Sequence, residues 1–132
     1  MTVSSETCIV VTAAVIERDG CFLLTRRVEG THLAGHWEFP GGKCERAESV
    51  EQCLARELRE ELDVDVSVGE EVFRTRFDYP ERRLDLRFLR CSLNGVPRPA
   101  QGQEMRWVPR GELRSLTFPP ADTAFIAQLT NP

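Results

Sequence analysis

One helix limits the folds open to this chain more than any other segment. From Ser49 to Leu62 the sequence reads SVEQCLARELREEL, with apolar residues at helical spacing. Counted from Val50 at about 100° per residue, Leu54, Leu58 and Leu62 fall near 40°, 80° and 120° and form one apolar stripe. Glu57, Glu60 and Glu61 fall near 340°, 280° and 20°, a compact acidic arc beside that stripe. An ordinary amphipathic helix puts its charges opposite the core, where water screens them. Here part of the acidic arc adjoins the buried edge, and like charges three or four residues apart repel by about 0.2–0.5 kcal/mol per pair even when exposed. Arg56 precedes Glu60 by four residues and supplies one positive partner. One arginine does not neutralise three carboxylates, whereas a hard divalent cation with oxygen ligands does. RELREEL alone is equally an ordinary solvated helix face, so the choice rests on the rest of the chain.

The remaining elements follow from patterning. Ser49 with Gln52 three residues on matches a capping box, so the helix should start near Ser49 and end near Leu62. Residues 7–17 are rich in β-branched side chains and read as a buried strand. Asp19-Gly20 signals a hairpin into a second strand at 21–27. VEGTHLAGHWEFPGGK reads as a loop. Residues 64–78, interrupted near Gly69, together with 84–92 and 104–109, read as further strands. Pro119-Pro120 breaks the chain before a last helix over about 121–129. Strands dominate and two helices cover opposite faces, which predicts one α/β layered domain over residues 1–132.

Composition narrows the function. The 132 residues carry a net charge of −4, which argues against a stable grip on nucleic acid or an anionic membrane. The run Cys8–Ile16 is too short to span a bilayer and lacks the basic flank of a signal peptide. Five cysteines, odd in number and without a C-x-x-C pair, point to a reduced, cytoplasmic protein rather than a disulfide framework.

A wider spacing decides between a solvated face and a metal site. Gly42, five residues, Glu48, seven residues, then Arg56-Glu57-Leu58-x-Glu60-Glu61-x-Asp63-Val64 resembles the Nudix box of the Nudix hydrolases. Six fixed identities at ordinary usage coincide by chance on the order of 10⁻⁷ per start position. The resemblance implies a mixed β-sheet sandwiched between helices and hydrolysis of a nucleoside diphosphate linked to another group. It also implies Mg²⁺, with Mn²⁺ as a substitute, held by Glu57, Glu61 and the Gly41 carbonyl, with Glu60 supporting a second ion or acting through water. Glu48 and Arg56 would tie the loop to the helix. Where the family has glycine this chain has Asp63, which alters the helix cap and not the ligand set, since Asp also visits the left-handed region.

TRRVEGTHLAGHWEFPGG and FPPAD are further similar to the MutT type, pyrophosphohydrolases that clear damaged nucleoside triphosphates, and to its cytidine-triphosphate-hydrolysing relatives. Carried over, Arg27, His32, the Glu38–Gly41 loop, Arg82 and Asp122 match places that hold the nucleotide. Phe39 and Tyr79 either stack on a base or belong to the core. Asp122 accepts from the exocyclic amine of cytosine or from the N1–H and amino edge of guanine; alternatively it only caps the last helix. In the MutT type a glutamate before the RW strand assists the metal site. The match here is Gln101, and Glu104, three residues on, is the candidate general base.

The implied reaction releases a nucleoside monophosphate and pyrophosphate, from an oxidised purine such as 8-oxo-dGTP or from CTP and 5-methyl-dCTP. The implied enzyme works as a monomer or small homodimer. Two other classes stay open: a Nudix hydrolase of dinucleotides or nucleotide sugars, and a non-catalytic nucleotide-binding module.

Overall fold

The computed structural model describes residues 8–131. Its strands are β1 (Cys8–Val15), β2 (Glu17–Arg18), β3 (Cys21–Arg26), β4 (Trp37–Glu38), β5 (Gly41–Lys43), β6 (Val66–Tyr79), β7 (Arg82–Leu93) and β8 (Glu104–Pro109). Its helices are α1 (Val50–Leu62) and α2 (Thr123–Thr130), with 3₁₀ turns at Arg110–Ser115 and Pro120–Asp122. The strand expected over 7–17 is β1 followed by β2; residue 7 lies outside the described residues.

Two four-stranded sheets form where one was expected. The first runs β5-β1-β7-β6, with β1 and β7 parallel and the other pairs antiparallel. The second runs β2-β3-β4, and β8 pairs with the free side of β3. The chain passes between sheets at Ile16, whose carbonyl accepts from Leu23 N–H at 3.1 Å while Glu17 already pairs with Phe22. Asp19 and Gly20, at φ 53° and 78°, make the tight turn that follows.

Period-two alternation puts core on both faces of the central strands. Ala13 and Val15, with Phe22 and Leu24, join Phe88, Val108, Phe125 and Ile126 in one cluster under α2. Ala14 and Ile16, with Leu23, join Leu54, Leu58, Leu62, Val64 and Leu89 in another under α1. The three leucines of the helical stripe are completely buried, each contributing about 1.5–3 kcal/mol of apolar transfer. The sandwich of sheet between helices is therefore a direct result of strands that are apolar on both sides.

The capping box forms as read: Ser49 Oγ accepts from Gln52 N–H at 3.0 Å, and Gln52 Oε1 accepts from Ser49 N–H at 2.9 Å. Asp63 ends α1 in the left-handed conformation, φ 51° and ψ 46°, and donates its N–H to Arg59 O. Two features depart from expectation. The loop-like stretch contains β4 and β5, which are too short to show a period and are pinned by distant strands. Cys44 and Cys53, taken as reduced, form a disulfide, because the turn into α1 folds back and brings their Cα atoms to 5.1 Å. Cys8, Cys21 and Cys91 are free. Among the described residues no helix is long and apolar enough to cross a membrane.

Removing the Ser49 hydroxyl strands one amide of the first turn. Ser49→Ala should lower stability by about 1 kcal/mol, read as a shifted urea midpoint at unchanged slope.

Candidate active site

The segment Glu38-Phe39-Pro40-Gly41-Gly42 bridges the two sheets, since Glu38 pairs with Thr25 in one and Gly41 with Ala13 in the other. β5 lies so close to β1 that a side chain at Gly41 would overlap the Thr12 carbonyl. A side chain at Gly42 would run into the Glu57 carboxylate. Gly41 is thus required by close approach of backbone, whereas a side chain at Gly42 would displace the Glu57 carboxylate, and the loop lies directly beside α1. Thr12, buried in β1, donates its hydroxyl to Gly42 O at 3.3 Å.

Arg56 organises the acidic helix. Its Nε and Nη2 donate to the two oxygens of Glu48 at 2.6 and 2.9 Å, a bidentate pair. Nη2 also donates to Lys43 O at 3.1 Å, and Nη1 reaches Glu57 at 3.1 Å and Glu60 at 3.3 Å. One guanidinium therefore links the loop, Glu48 and two helix glutamates. The hydrogen bonds from Arg56, aided by Glu45 N–H, lower the Glu48 carboxyl to about 2.

The other carboxyls are driven the opposite way. Burial first, then the charges of Glu38 and Glu57, push Glu61 up to about 9, against a hydrogen bond from Gly41 N–H. Burial raises Glu57 as well, with hydrogen bonds from Glu61 and Arg56 opposing. Glu38 is raised by burial although Arg27 Nη1 donates to it at 3.0 Å. Asp122, 7% exposed, is raised to about 7 by burial and then by Glu38. Asp122, Glu38, Glu61 and Glu57 form a coupled row of carboxyls in which no cation matches their number.

That row is what a divalent ion would relieve. Glu57 and Glu61 lie side by side and the Gly41 N–H donates to Glu61, so two carboxyls meet the glycine loop at one place, which suits an ion that keeps several of its waters. Glu60 is half exposed and engaged with Arg56. Among the described residues no three acidic, histidine or cysteine side chains form a ready cation cage, so the expected ligand set of three glutamates is not assembled as one. The carboxyls satisfy one another and Arg56 instead.

A cleft of about 200 Å³ opens from the glycine loop and gathers Arg27, His32, Glu38, Phe39, Gly41, Tyr79, Arg82 and Asp122, all the expected nucleotide contacts. Phe39 is mainly core, 4% exposed and packed against Phe88, Phe118 and Phe125. Tyr79 is half-buried and meets His32 edge-on at 6.1 Å. Arg27 holds the following loop, donating N–H to His36 O at 2.9 Å and its side chain to His32 O. Asp122 makes no side-chain cap hydrogen bond to α2, so the helix-cap alternative does not account for it.

Glu104 stands apart. Its register opposite Arg26 directs it to ion pairs with Arg26 at 3.2 Å and Arg106 at 3.6 Å, and it lines a separate recess with Val28 and Gly35. The candidate general base is thus held by two arginines of its own sheet. Two positions that sequence reasoning passed over support the cluster. Thr12 holds the glycine loop, and Gln103 donates to the backbone of Glu61 at 2.9 Å. Neither carried a periodic or motif signal.

The raised carboxyls have a defined pH signature. A folded pKa above the ordinary value means a contribution to stability that is complete below the ordinary value and lost as pH rises through the folded one. For Asp122 the loss runs from 3.8 to about 7, and for Glu61 from 4.5 to about 9. Metal-free protein should therefore lose thermal stability between about pH 5 and about pH 9, and Asp122→Asn should flatten the lower half of that loss. Added Mg²⁺ should raise the melting temperature more at pH 8 than at pH 6, because its ligands must be deprotonated. Thermal scans in EDTA and in Mg²⁺ check both.

Known proteins share this arrangement. The family model described as NUDIX domain matches residues 11–128. The 8-oxo-dGTP diphosphatase of Haemophilus influenzae is 39% identical over 124 residues, 92% of this chain and 90% of that protein. The CTP pyrophosphohydrolase of Escherichia coli is 39% identical over 113 residues, 85% of this chain and 84% of that protein. The solution structure of the E. coli ORF135 protein superposes with a TM-score of 0.82 at 35% identity, covering 96% of this chain and 94% of that one. The matched span takes in the glycine loop, the whole acidic helix and Asp122, and the chain belongs to the Nudix family.

Proposed function

We propose that the chain is a Mg²⁺-dependent nucleoside triphosphate pyrophosphohydrolase that releases a nucleoside monophosphate and pyrophosphate, cleansing oxidised nucleotides such as 8-oxo-dGTP from the pool. The observation that carries the reading is the row of raised carboxyls running from Asp122 and Glu38, which line the cleft, to Glu61 and Glu57 on the acidic helix. Nudix hydrolases generally use divalent metals, and the names of two relatives at 39% identity specify nucleoside triphosphates.

Glu57, Glu61 and Gly41 O would hold the ion, and Glu60 would support them from the exposed side. When bound, the ion neutralises developing phosphate charge and makes water acidic enough to attack. Arg56 keeps Glu57 aimed while Glu48 anchors Arg56 to the loop. Burial raises both Glu57 and Glu61, so each would have to give up its proton to hold an ion. One of them would take the proton of the attacking water, since Glu104 is engaged in ion pairs with Arg26 and Arg106. Arg82, with Arg27 beside Glu38, neutralises phosphate or sugar oxygens. Tyr79 and His32 flank the base.

Asp122 reads the base edge. Raised to about 7, it presents both carboxylate and carboxylic acid near neutral pH. The ionised form accepts from N1–H and the amino group of an oxidised guanine, or from the amine of cytosine. This equal fit, with the E. coli CTP pyrophosphohydrolase at the same identity, favours CTP and 5-methyl-dCTP as the second reading.

Pyrophosphate release with Mg²⁺ over 8-oxo-dGTP, dGTP, 2-hydroxy-dATP, CTP, dCTP, 5-methyl-dCTP, ADP-ribose and a dinucleoside polyphosphate tests it. Turnover concentrated on the oxidised purines is the expected result; a cytosine preference selects the second reading, and silence across the panel sinks both. Glu57→Gln and Glu61→Gln should each lower kcat at least about 100-fold, the several kcal/mol that a positioned ion contributes. Their metal-free melting temperatures should hold, and rise toward alkaline pH, since each replaces a buried carboxyl that is costly to ionise. Unchanged turnover in saturating Mg²⁺ would remove both residues from the metal site.

A further inference from the structure

The last turn of α1 ends against the loop between β7 and β8, and that contact reaches the acidic cluster from behind. A helix leaves its final carbonyls without intrahelical partners. Here Arg59 O accepts from Asp63 N–H at 3.1 Å, and Leu62 O from Arg98 N–H at 2.8 Å. Glu61 O accepts from Ala100 N–H at 3.0 Å and again from Gln103 Nε2 at 2.9 Å. The other end of the Gln103 amide accepts from Gln101 N–H at 2.9 Å. Gln103 is 8% exposed, so this is a polar side chain buried in a loop and used at both ends.

The helix stop does not need it. Asp63, Arg98 and Ala100 already satisfy the carbonyls of Arg59, Leu62 and Glu61, so Glu61 O has a partner without Gln103. What the second hydrogen bond adds is direction. Two donors from different parts of the loop fix the Glu61 peptide plane, and with it the Cα–Cβ bond that aims the carboxylate at Glu57 and the glycine loop. The same amide holds the Gln101 backbone, and Gln101, Gln103, Glu38 and Glu61 line one recess of about 160 Å³.

We propose that Gln103 is a positioning residue for the reaction, a carboxamide clamp that holds Glu61 in ligating register and fixes the Gln101 loop beside it. The inference rests on Glu61 as a metal ligand. Residues that orient a ligand from behind change metal affinity by about 10–100-fold when removed, although they never touch the ion.

The probe is Mn²⁺ alone, with free ion counted by electron paramagnetic resonance during titration of the full chain. Gln103→Met keeps the length and removes both hydrogen bonds; Gln103→Asn keeps the amide and is one methylene too short to bridge. Both should weaken Mn²⁺ binding about 10-fold and lower kcat by a similar factor, with KM for the nucleotide and the melting temperature little changed. Should the methionine variant fail to fold, the asparagine variant carries the test. Wild-type Mn²⁺ affinity in a folded variant overturns the clamp and leaves the proposed function standing. A wild-type chain that neither binds Mn²⁺ nor releases pyrophosphate overturns that function, and the clamp with it.

Discussion

Repulsion among buried carboxyls is the constraint on which the rest of this structure depends. Asp122, Glu38, Glu61 and Glu57 lie in one coupled row, and burial alone would make each costly to ionise. The fold spends its stable parts on holding that row in place. Fully buried leucines fix α1 against the sheet, two close-packed glycines fix the loop, and a single guanidinium stitches loop to helix. Leucines and caps carry the stability of α1, while the carboxyls beside them oppose it as they ionise.

Much of this was written in the local sequence. The leucine stripe, the Ser49–Gln52 box and the breadth of the acidic arc all arise within fourteen consecutive residues, where helical periodicity acts directly. Asp63 in the left-handed conformation follows from the chemistry of short polar side chains at a helix end. The eight positions expected to face the nucleotide line one cleft.

What escaped depended on partners far along the chain. β4 and β5 have two and three residues and exist because β3 and β1 pair with them. Phe39 belongs to an aromatic cluster drawn from β3, β7 and α2, which no local pattern reveals. The ion pairs of Glu104 with Arg26 and Arg106 follow from the pairing of β8 with β3, which no local pattern reveals. The Cys44–Cys53 disulfide required knowing how tightly the chain turns before α1. Gln103 sits in a loop and speaks to a backbone carbonyl forty-two residues away.

The way α1 stops has an environmental consequence. Glycine adopts the left-handed conformation without help, and it does so equally in dilute and concentrated electrolyte. Asp63 adopts it while ion-paired to Arg59 and Arg98, both well exposed. Counter-ions screen such surface pairs within a few ångströms at high ionic strength. The end of the helix adjoining Glu61 is thereby coupled to the saltiness of the medium, a sensitivity that a glycine at this position would not confer.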